Sequence, residues 1–429
     1  MAFHVFERLF AIVFLLLSMQ VGIGLTRPSE AELDPGAVSA SVHVLDTTIE
    51  AGVYACGVLL ILLRWRRVLH AVRGVLPLMG LVALAALSMT WSAQPMLTLR
   101  RSALLLLSTL FAIYLGERYT LEKQAELLTD IFCMMISATV ILYFVAPVYV
   151  IDQVSHPGAW KGLSAYKNAF GQYMAIAVVL LLLVRFRRFR WLRYAFLITA
   201  AELLLLSQSA ASFFSCVLIV ALLPLWRAAQ LRGKQRWPLC TIAATMLCAG
   251  MYFIAANTER VLHLLGRNST FTGRTRLWAT VWAAIMRHPI LGYGFDTFWA
   301  SLRAEALDVR IGAGWLAQRA DNGFLDLGLG LGALGMSVFL FVFALSFRRG
   351  VDYLTSGRQP LALWPITYLC FFLLHNMFES TLLTRGDFPS LVFAMIATSL
   401  ALNRRQAAIA ELTPDLSNEG ELLSHATSA

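Results

Sequence analysis

Apolar residues run along this chain in blocks, such as Leu104–Leu107 and Val178–Val184, rather than alternating with polar ones. Barrel strands need alternation, so the blocks predict helices. Each crossing of a bilayer takes roughly 20 apolar residues, fewer where flanking side chains snorkel. Twelve blocks meet that description, at about 9–25, 49–63, 75–91, 102–116, 127–147, 169–184, 194–209, 210–226, 238–256, 323–346, 361–380 and 389–402. No small-residue cleavage site closely follows the first, which is read as a retained span rather than a secretory signal. The expected fold is all-α, a polytopic transmembrane bundle of about 12 helices. Residues 1–256 hold helices 1–9, 257–322 form one large loop, 323–402 hold helices 10–12, and 403–429 form a polar tail.

Composition agrees. Hydrophobic residues make up 59% and charged residues 14% of the chain, with a mean hydropathy of +0.68. Soluble domains carry roughly 25% charged residues; a chain this apolar needs lipid, where only helices or closed barrels satisfy their own backbone. The net charge of +10 does not call for nucleic acid, because topology explains most of it. With the N-terminus inside, the cytoplasmic segments hold 21 of the 35 lysines and arginines, including Arg64, Arg66, Arg67, Arg73 and Arg118. This satisfies the positive-inside rule and puts both termini in the cytoplasm. The six cysteines lie in apolar stretches and form no CxxC or zinc pattern.

The loop 257–322 breaks the charge rule. It carries eight arginines on the far side, with His263 and His288. Charge that opposes insertion needs another reason, and guanidinium forks match phosphate oxygens bidentately. Thr272-Gly273-Arg274-Thr275-Arg276-Leu277-Trp278 reads as a helix start, an anion site beside arginine. Arg274 and Arg276 lie about 200° apart on a helix of 3.6 residues per turn, so both reach one phosphate only if Arg274 precedes the regular helix. His288-Pro289-Ile290-Leu291-Gly292-Tyr293-Gly294 contains a tight turn, not a dinucleotide fingerprint. Asp321-Asn322-Gly323 sits where the loop re-enters the membrane. Asp321 there is either a working carboxylate or the N-cap of span ten. Two other outside segments carry polar residues: Trp160–Asn168, with Lys161, Lys167 and Asn168, and Trp91–Pro95, leading into Arg100 and Arg101. His375 and Glu379 form an i,i+4 pair near the outer end of span eleven, a hydrogen bond, a pocket wall or a metal pair, for which no third ligand is visible in the sequence.

Taken in order, Trp91-Ser92…Pro95…Arg100, Lys167-Asn168, Thr272–Trp278, Pro289–Gly294 and Asp321-Asn322-Gly323-Phe324-Leu325 resemble the O-antigen ligase and Wzy polymerase superfamily, with ExoQ-like exopolysaccharide polymerases the nearest group. The resemblance covers roughly 85–345. It implies a glycosyltransferase of the bacterial inner membrane, with the large loop and active site periplasmic. The implied donor is an undecaprenyl-diphosphate-linked oligosaccharide, polymerised into exopolysaccharide or O-antigen. Membrane lipid, a chain-length regulator and a flippase are the implied partners. By the same likeness Arg274 contacts the diphosphate and Asp321, where relatives often carry histidine, serves as the base. Arg276, Lys161, Lys167, Asn168, Asn322, Arg100, Arg101 and His288 are candidate substrate contacts. Lys161 stands where arginine is common and Tyr166 where histidine is. Ser207-Gln208-Ser209-Ala210 lacks the basic residue that usually ends that element.

No DxD element faces the cytoplasm, so neither metal nor other cofactor is expected. Two alternatives stand beside polymerisation: ligation of finished polymer to lipid A-core, and transport of a lipid-linked oligosaccharide. Transporters often show repeats and mid-membrane charged sites, and this sequence shows neither.

Overall fold

The computed structural model describes residues 2–21, 40–153, 155–186, 189–231, 238, 241, 274–300, 304–356 and 361–412. The expected span 238–256 (apart from 238 and 241), the loop residues 257–273 with Arg260, His263 and Arg267, Arg303, and the tail beyond 412 lie outside them. Among the described residues the fold is all-helical; one isolated bridge, Ile151 to Trp160, is the sole β pairing.

The helices, in chain order, are α1 Ala2–Ser18, α2 Ala40–Leu63, α3 Trp65–Val72, α4 Leu76–Leu87, α5 Pro95–Arg118, α6 Leu121–Val145, α7 Lys167–Leu183, α8 Arg190–Leu206, α9 Ala210–Ala229, α10 Arg274–Arg287, α11 Ala304–Ala313, α12 Gly323–Thr355, α13 Leu363–His375 and α14 Phe388–Leu412. Every apolar block in the described residues falls on one of them. By length and composition α5, α6, α9 and α12 can each cross a membrane alone. The pair α3–α4 adds a fifth crossing if counted as one span bent by 93°. Parts of α2, α7, α13 and α14 are apolar but shorter. Large side chains such as Leu62, Ile141, Phe144 and Leu205 stand more than half exposed, a cost in water that lipid removes.

Local chemistry sets the ends. Pro95 opens α5, where a missing N–H costs nothing. Thr120 accepts from the Lys123 amide and caps α6. The core is built around α7, nearly all of whose residues are buried. Its Tyr173, and Phe132 of α6, each meet the Phe388 ring of α14 edge-to-face. Helices α5 and α14 cross closely at Gly116, whose Cα faces the Met395 carbonyl. Ser399 donates to the Gly116 carbonyl at 2.6 Å and accepts from Gln124 at 2.6 Å, so the crossing is hydrogen-bonded as well as packed.

Helix α12 is broken at Gly332, where φ is 61° and ψ is −159°. A continuous helix would bond the Ala333 amide to Leu329 and the Leu334 amide to Gly330. Instead residues 289–294 insert into the ladder. Ala333 donates to the Pro289 carbonyl at 2.8 Å and Leu334 to that of Ile290 at 3.1 Å. The Tyr293 amide donates to Leu329 at 2.8 Å and that of Gly294 to Gly330 at 3.0 Å. Four bonds replace two, so the Leu329 and Gly330 carbonyls and the Ala333 and Leu334 amides all stay paired. Gly292, at φ 65°, has no room for a side chain: a Cβ there would stand 2.5 Å from the Leu329 oxygen.

Candidate functional site

The outside segments named from sequence meet at one end of the bundle. Trp91 donates from its indole to the Leu291 carbonyl at 3.1 Å, and Ser92 and Thr297 share a hydrogen bond of 3.2 Å. These contacts dock the 289–297 loop onto the start of α5. Arg101, on the first turns of α5, bonds the Asp296 carbonyl and stands 3.6 Å from its carboxylate. Arg385 pairs with the same carboxylate.

Beside this layer Arg274, the first described residue of α10, links two acidic groups. Its Nε is 3.4 Å from Asp321 Oδ2 and its Nη2 is 3.3 Å from Glu379 Oε1. Its Nη1 donates to the Phe378 carbonyl at 2.9 Å. Asn168, on the first turn of α7, donates to Glu379 Oε1 at 2.8 Å. Segments around residues 168, 274, 321 and 379 thus meet in one hydrogen-bonded cluster. Arg319 lies close by; it donates to the Tyr166 hydroxyl at 3.2 Å, with its guanidinium 5.4 Å from that ring centre.

Backbone geometry aims these groups. Asp321 takes a left-handed φ of 49°, uncommon outside glycine, which turns its carboxylate toward Arg274 rather than down the helix. The N-cap of α12 is therefore Asn322, not Asp321. The Asn322 side chain accepts from the Phe324 and Leu325 amides at 3.0 and 3.1 Å. Helix α13 ends at His375, earlier than the expected 361–380 span, so Glu379 lies in the turn beyond it. The Asn376 side chain holds that turn, accepting from the amide and hydroxyl of Thr381. The Gly323 amide donates to the Asn376 and Glu379 carbonyls at 2.8 and 3.1 Å, joining the two re-entry points.

Burial shapes the electrostatics. Glu379 is 5% exposed. Burial pushes its carboxyl up to about 7 and nearby Asp321 adds to the rise, while Arg274, Arg319 and the Arg274 hydrogen bond pull it back. A cavity of about 300 Å³ adjoins the cluster, lined by Arg319, Arg385, Asp296, Asp326, Trp299 and Ser380 among others. Asp326 binds the Trp299 indole at 2.6 Å, the Ala320 amide and the Ser380 hydroxyl, fixing one wall.

The remaining sequence candidates are placed as follows. Lys161 and Lys167 are buried, the second beside Asn168. Arg276, Arg100 and His288 are exposed, with no hydrogen bond or ion pair to the cluster among the described residues; His288 meets the Tyr293 ring edge-on at 4.6 Å. The Ser207–Ala210 element packs the start of α7: Ser209 bonds Ser212 at 2.9 Å, and Ser212 reaches the Asn168 carbonyl at 3.4 Å. His375 faces Ser215 at 3.4 Å and stacks on Phe371. Sequence reasoning passed over Glu379, Arg319, Asp296 and Arg385 as site members. The first was visible only as a partner of His375; Arg319 and Asp296 lie in the long loop 257–322, and Arg385 lies in the short connection between the last two expected spans.

Comparison with known proteins bears on this geometry. Residues 195–340 match the family model described as O-antigen ligase. The chain is also 25% identical over 376 residues, 83% of each chain, to the exopolysaccharide production protein ExoQ of Rhizobium meliloti (strain 1021). The family match takes in Arg274, Arg319, Asp321 and the clasped break in α12, while the longer alignment extends over most of the bundle. With its apolar helices, these likenesses describe a multi-pass membrane protein, similar to the O-antigen ligase family over residues 195–340 and to ExoQ over most of its length.

Proposed function

We propose that this protein polymerises undecaprenyl-diphosphate-linked oligosaccharide repeat units at the periplasmic face of the bacterial inner membrane, without a metal. The observation that carries the reading is Arg274, held between Asp321 and Glu379 beside a cavity lined by Arg319 and Arg385 together with Asp296 and Asp326. In this account the twelve-span topology holds, with 257–322 outside and both termini in the cytoplasm.

The chemistry follows from the residues. The anomeric C–O bond of the donor breaks and polyprenyl diphosphate leaves with the electron pair. The acceptor hydroxyl oxygen forms the new bond to that carbon in a single inverting step, and its proton passes to a carboxylate. A cation aimed at the leaving diphosphate acts where charge develops, and Arg274 fills that role, supported by Arg319 and Lys167. Phosphate oxygens compete for the guanidinium, which frees a carboxylate oxygen for the acceptor. Glu379 suits the proton transfer, because a base works best with a pKa near the working pH. Asp321 is the second candidate base and holds Arg274 from the other side. Trp299 and the polar cavity wall offer an apolar face and hydrogen-bond partners to a sugar.

Ligation to lipid A-core is the second reading, favoured by the description of the matching family model; the name of the ExoQ relative favours polymer production. Mass analysis of lipid-linked glycans from a deletion strain separates them. Loss of a polymerase leaves single repeat units exposed outside, loss of a ligase leaves unattached polymer, and units trapped inside would point to a flippase and overturn both. Arg274→Ala in the membrane should yield no polymer above background; polymer of wild-type length would remove Arg274 from the site.

A further inference from the structure

The end of the bundle away from Arg274 holds a second concentration of guanidiniums. Helix α5 spans both: Arg101 near its start touches Asp296, and Arg118 at its end touches Glu7. Seventeen residues of helix put them about 25 Å apart. Glu7 is 2% exposed. Arg64 Nη2 stands 2.9 Å from one of its oxygens and Arg118 Nε 3.1 Å from the other. The Tyr114 hydroxyl donates to it at 2.8 Å, and His4 stands 2.8 Å from Arg118. Surface charge placed only for topology would be solvated. Here Arg64 and Arg118 are held mostly buried, 17% and 21% exposed, around a fixed carboxylate.

An open cleft of about 500 Å³ adjoins this cluster, lined by His4, Arg64, Trp65, Arg66, Arg67 and Arg118. Four guanidiniums face one carboxylate, so the cleft keeps an excess of positive charge. Helix α3 forms its floor. It turns 93° from the helix that follows, buries Val68 and Ala71, and leaves Trp65 and Leu69 exposed with Arg66 and Arg67. Arg66 lies over the Trp65 ring at 5.5 Å. A short amphipathic helix set across the bundle, with exposed aromatic and aliphatic side chains beside arginines, matches an element lying in a membrane interface. Leu62 and Leu63, each 59% exposed, continue the apolar strip.

We infer that this cleft is a binding site for the phosphate of an anionic phospholipid, with the lipid chains against Leu62, Leu63, Trp65 and Leu69. Guanidinium forks supply bidentate contacts to a phosphodiester, and Glu7 positions Arg64 and Arg118 to give them. The site is separate from the proposed transfer chemistry and stands whether or not that reading holds.

The test uses the full chain in neutral detergent, with thermal unfolding followed against added dioleoylphosphatidylglycerol, dioleoylphosphatidylcholine or inorganic phosphate. Phosphatidylglycerol should raise the midpoint well beyond phosphatidylcholine. In R66Q/R67Q its apparent affinity should fall about tenfold or more, each basic residue near an anionic surface contributing at this scale. R66K/R67K should keep most of the preference, which separates lost charge from a disturbed fold, and each variant's midpoint without lipid is the fold control. Equal shifts from the two lipids overturn the site, as does a phosphatidylglycerol preference that survives R66Q/R67Q. Inorganic phosphate alone producing the whole shift overturns the lipid assignment.

Discussion

The two ends of α5 use the same ingredients in opposite proportion. At one end a single buried carboxylate, Glu7, gathers Arg64, Arg118 and His4. At the other Arg274 is shared by two carboxylates, Asp321 and Glu379, with Arg319 close by. One carboxylate among several cations is saturated and cannot act as a base; it serves as an anchor, and spare positive charge faces outward. A cation between two carboxylates leaves acidic groups with incomplete compensation. Burial then raises the affinity of one of them for a proton, which is the condition a general base needs. Counting partners on each side, more than the presence of ion pairs, separates the structural cluster from the chemical one.

That contrast can be broken by substitution. The largest expected effect is Glu379→Gln, which keeps shape and removes the proton acceptor. Transfer measured with purified lipid-linked donor should fall about 10²- to 10⁴-fold, the usual weight of a positioned base. Wild-type activity should rise as pH climbs through about 7, because the active carboxylate is the deprotonated one and burial has moved it there. An unchanged pH profile in the Gln variant, with Asp321→Asn inactive, would hand the role to Asp321. Arg274→Ala comes next, with a loss of about 10²- to 10³-fold in turnover, the scale of one removed charge-stabilising donor. Arg274→Lys should recover little, since a point charge cannot span both carboxylates.

Glu7→Gln tests the anchor. Removing one partner of a buried ion cluster leaves uncompensated charge, so thermal or denaturant unfolding should show a loss of about 3 kcal/mol. Turnover of the protein that remains folded should be near normal; a loss as deep as that of Glu379→Gln would erase the distinction between the two ends. Asp387 gives the smallest effect. It is half-buried in the turn before α14, with Oδ2 enclosed and lacking a hydrogen-bond partner among the described residues, and desolvation raises its carboxyl to about 7. A carboxyl raised on folding contributes stability that is complete below its ordinary value near 3.8 and is lost as pH rises through 7. Between pH 6 and 8 the wild type should therefore lose about 1 kcal/mol relative to Asp387→Asn. Parallel stability curves would show that Asp387 keeps its charge at no cost.

The helices were legible because lipid makes a one-dimensional demand: an apolar run of sufficient length is a helix whatever it packs against. Spacing set Arg274 and Arg276 on different faces and the family resemblance chose Arg274; the structure exposes Arg276 while pairing Arg274. Glu379 was misplaced because its chemistry depends on where α13 stops. The stop is set by Asn376 and by hydrogen bonds to Gly323, contacts that local periodicity does not contain. Arg64 to Arg73 read as loop charge, since eight residues of α3 are too few to announce a helix beside a longer span. The break in α12 left a trace in Gly328, Gly330, Gly332 and Gly335. Its filler lies some forty residues earlier, and only the assembled chain shows them joined.

That joint decides how the molecule can be taken apart. Residues 289–294 supply amides and carbonyls that α12 does not supply for itself, and α12 returns the same service. A bundle made without the loop would carry raw peptide groups inside a greasy span, and the loop made alone would lose the template on which its turn is laid. Fragment expression and domain grafting should therefore cut elsewhere, leaving 289–294 and 323–355 in one piece.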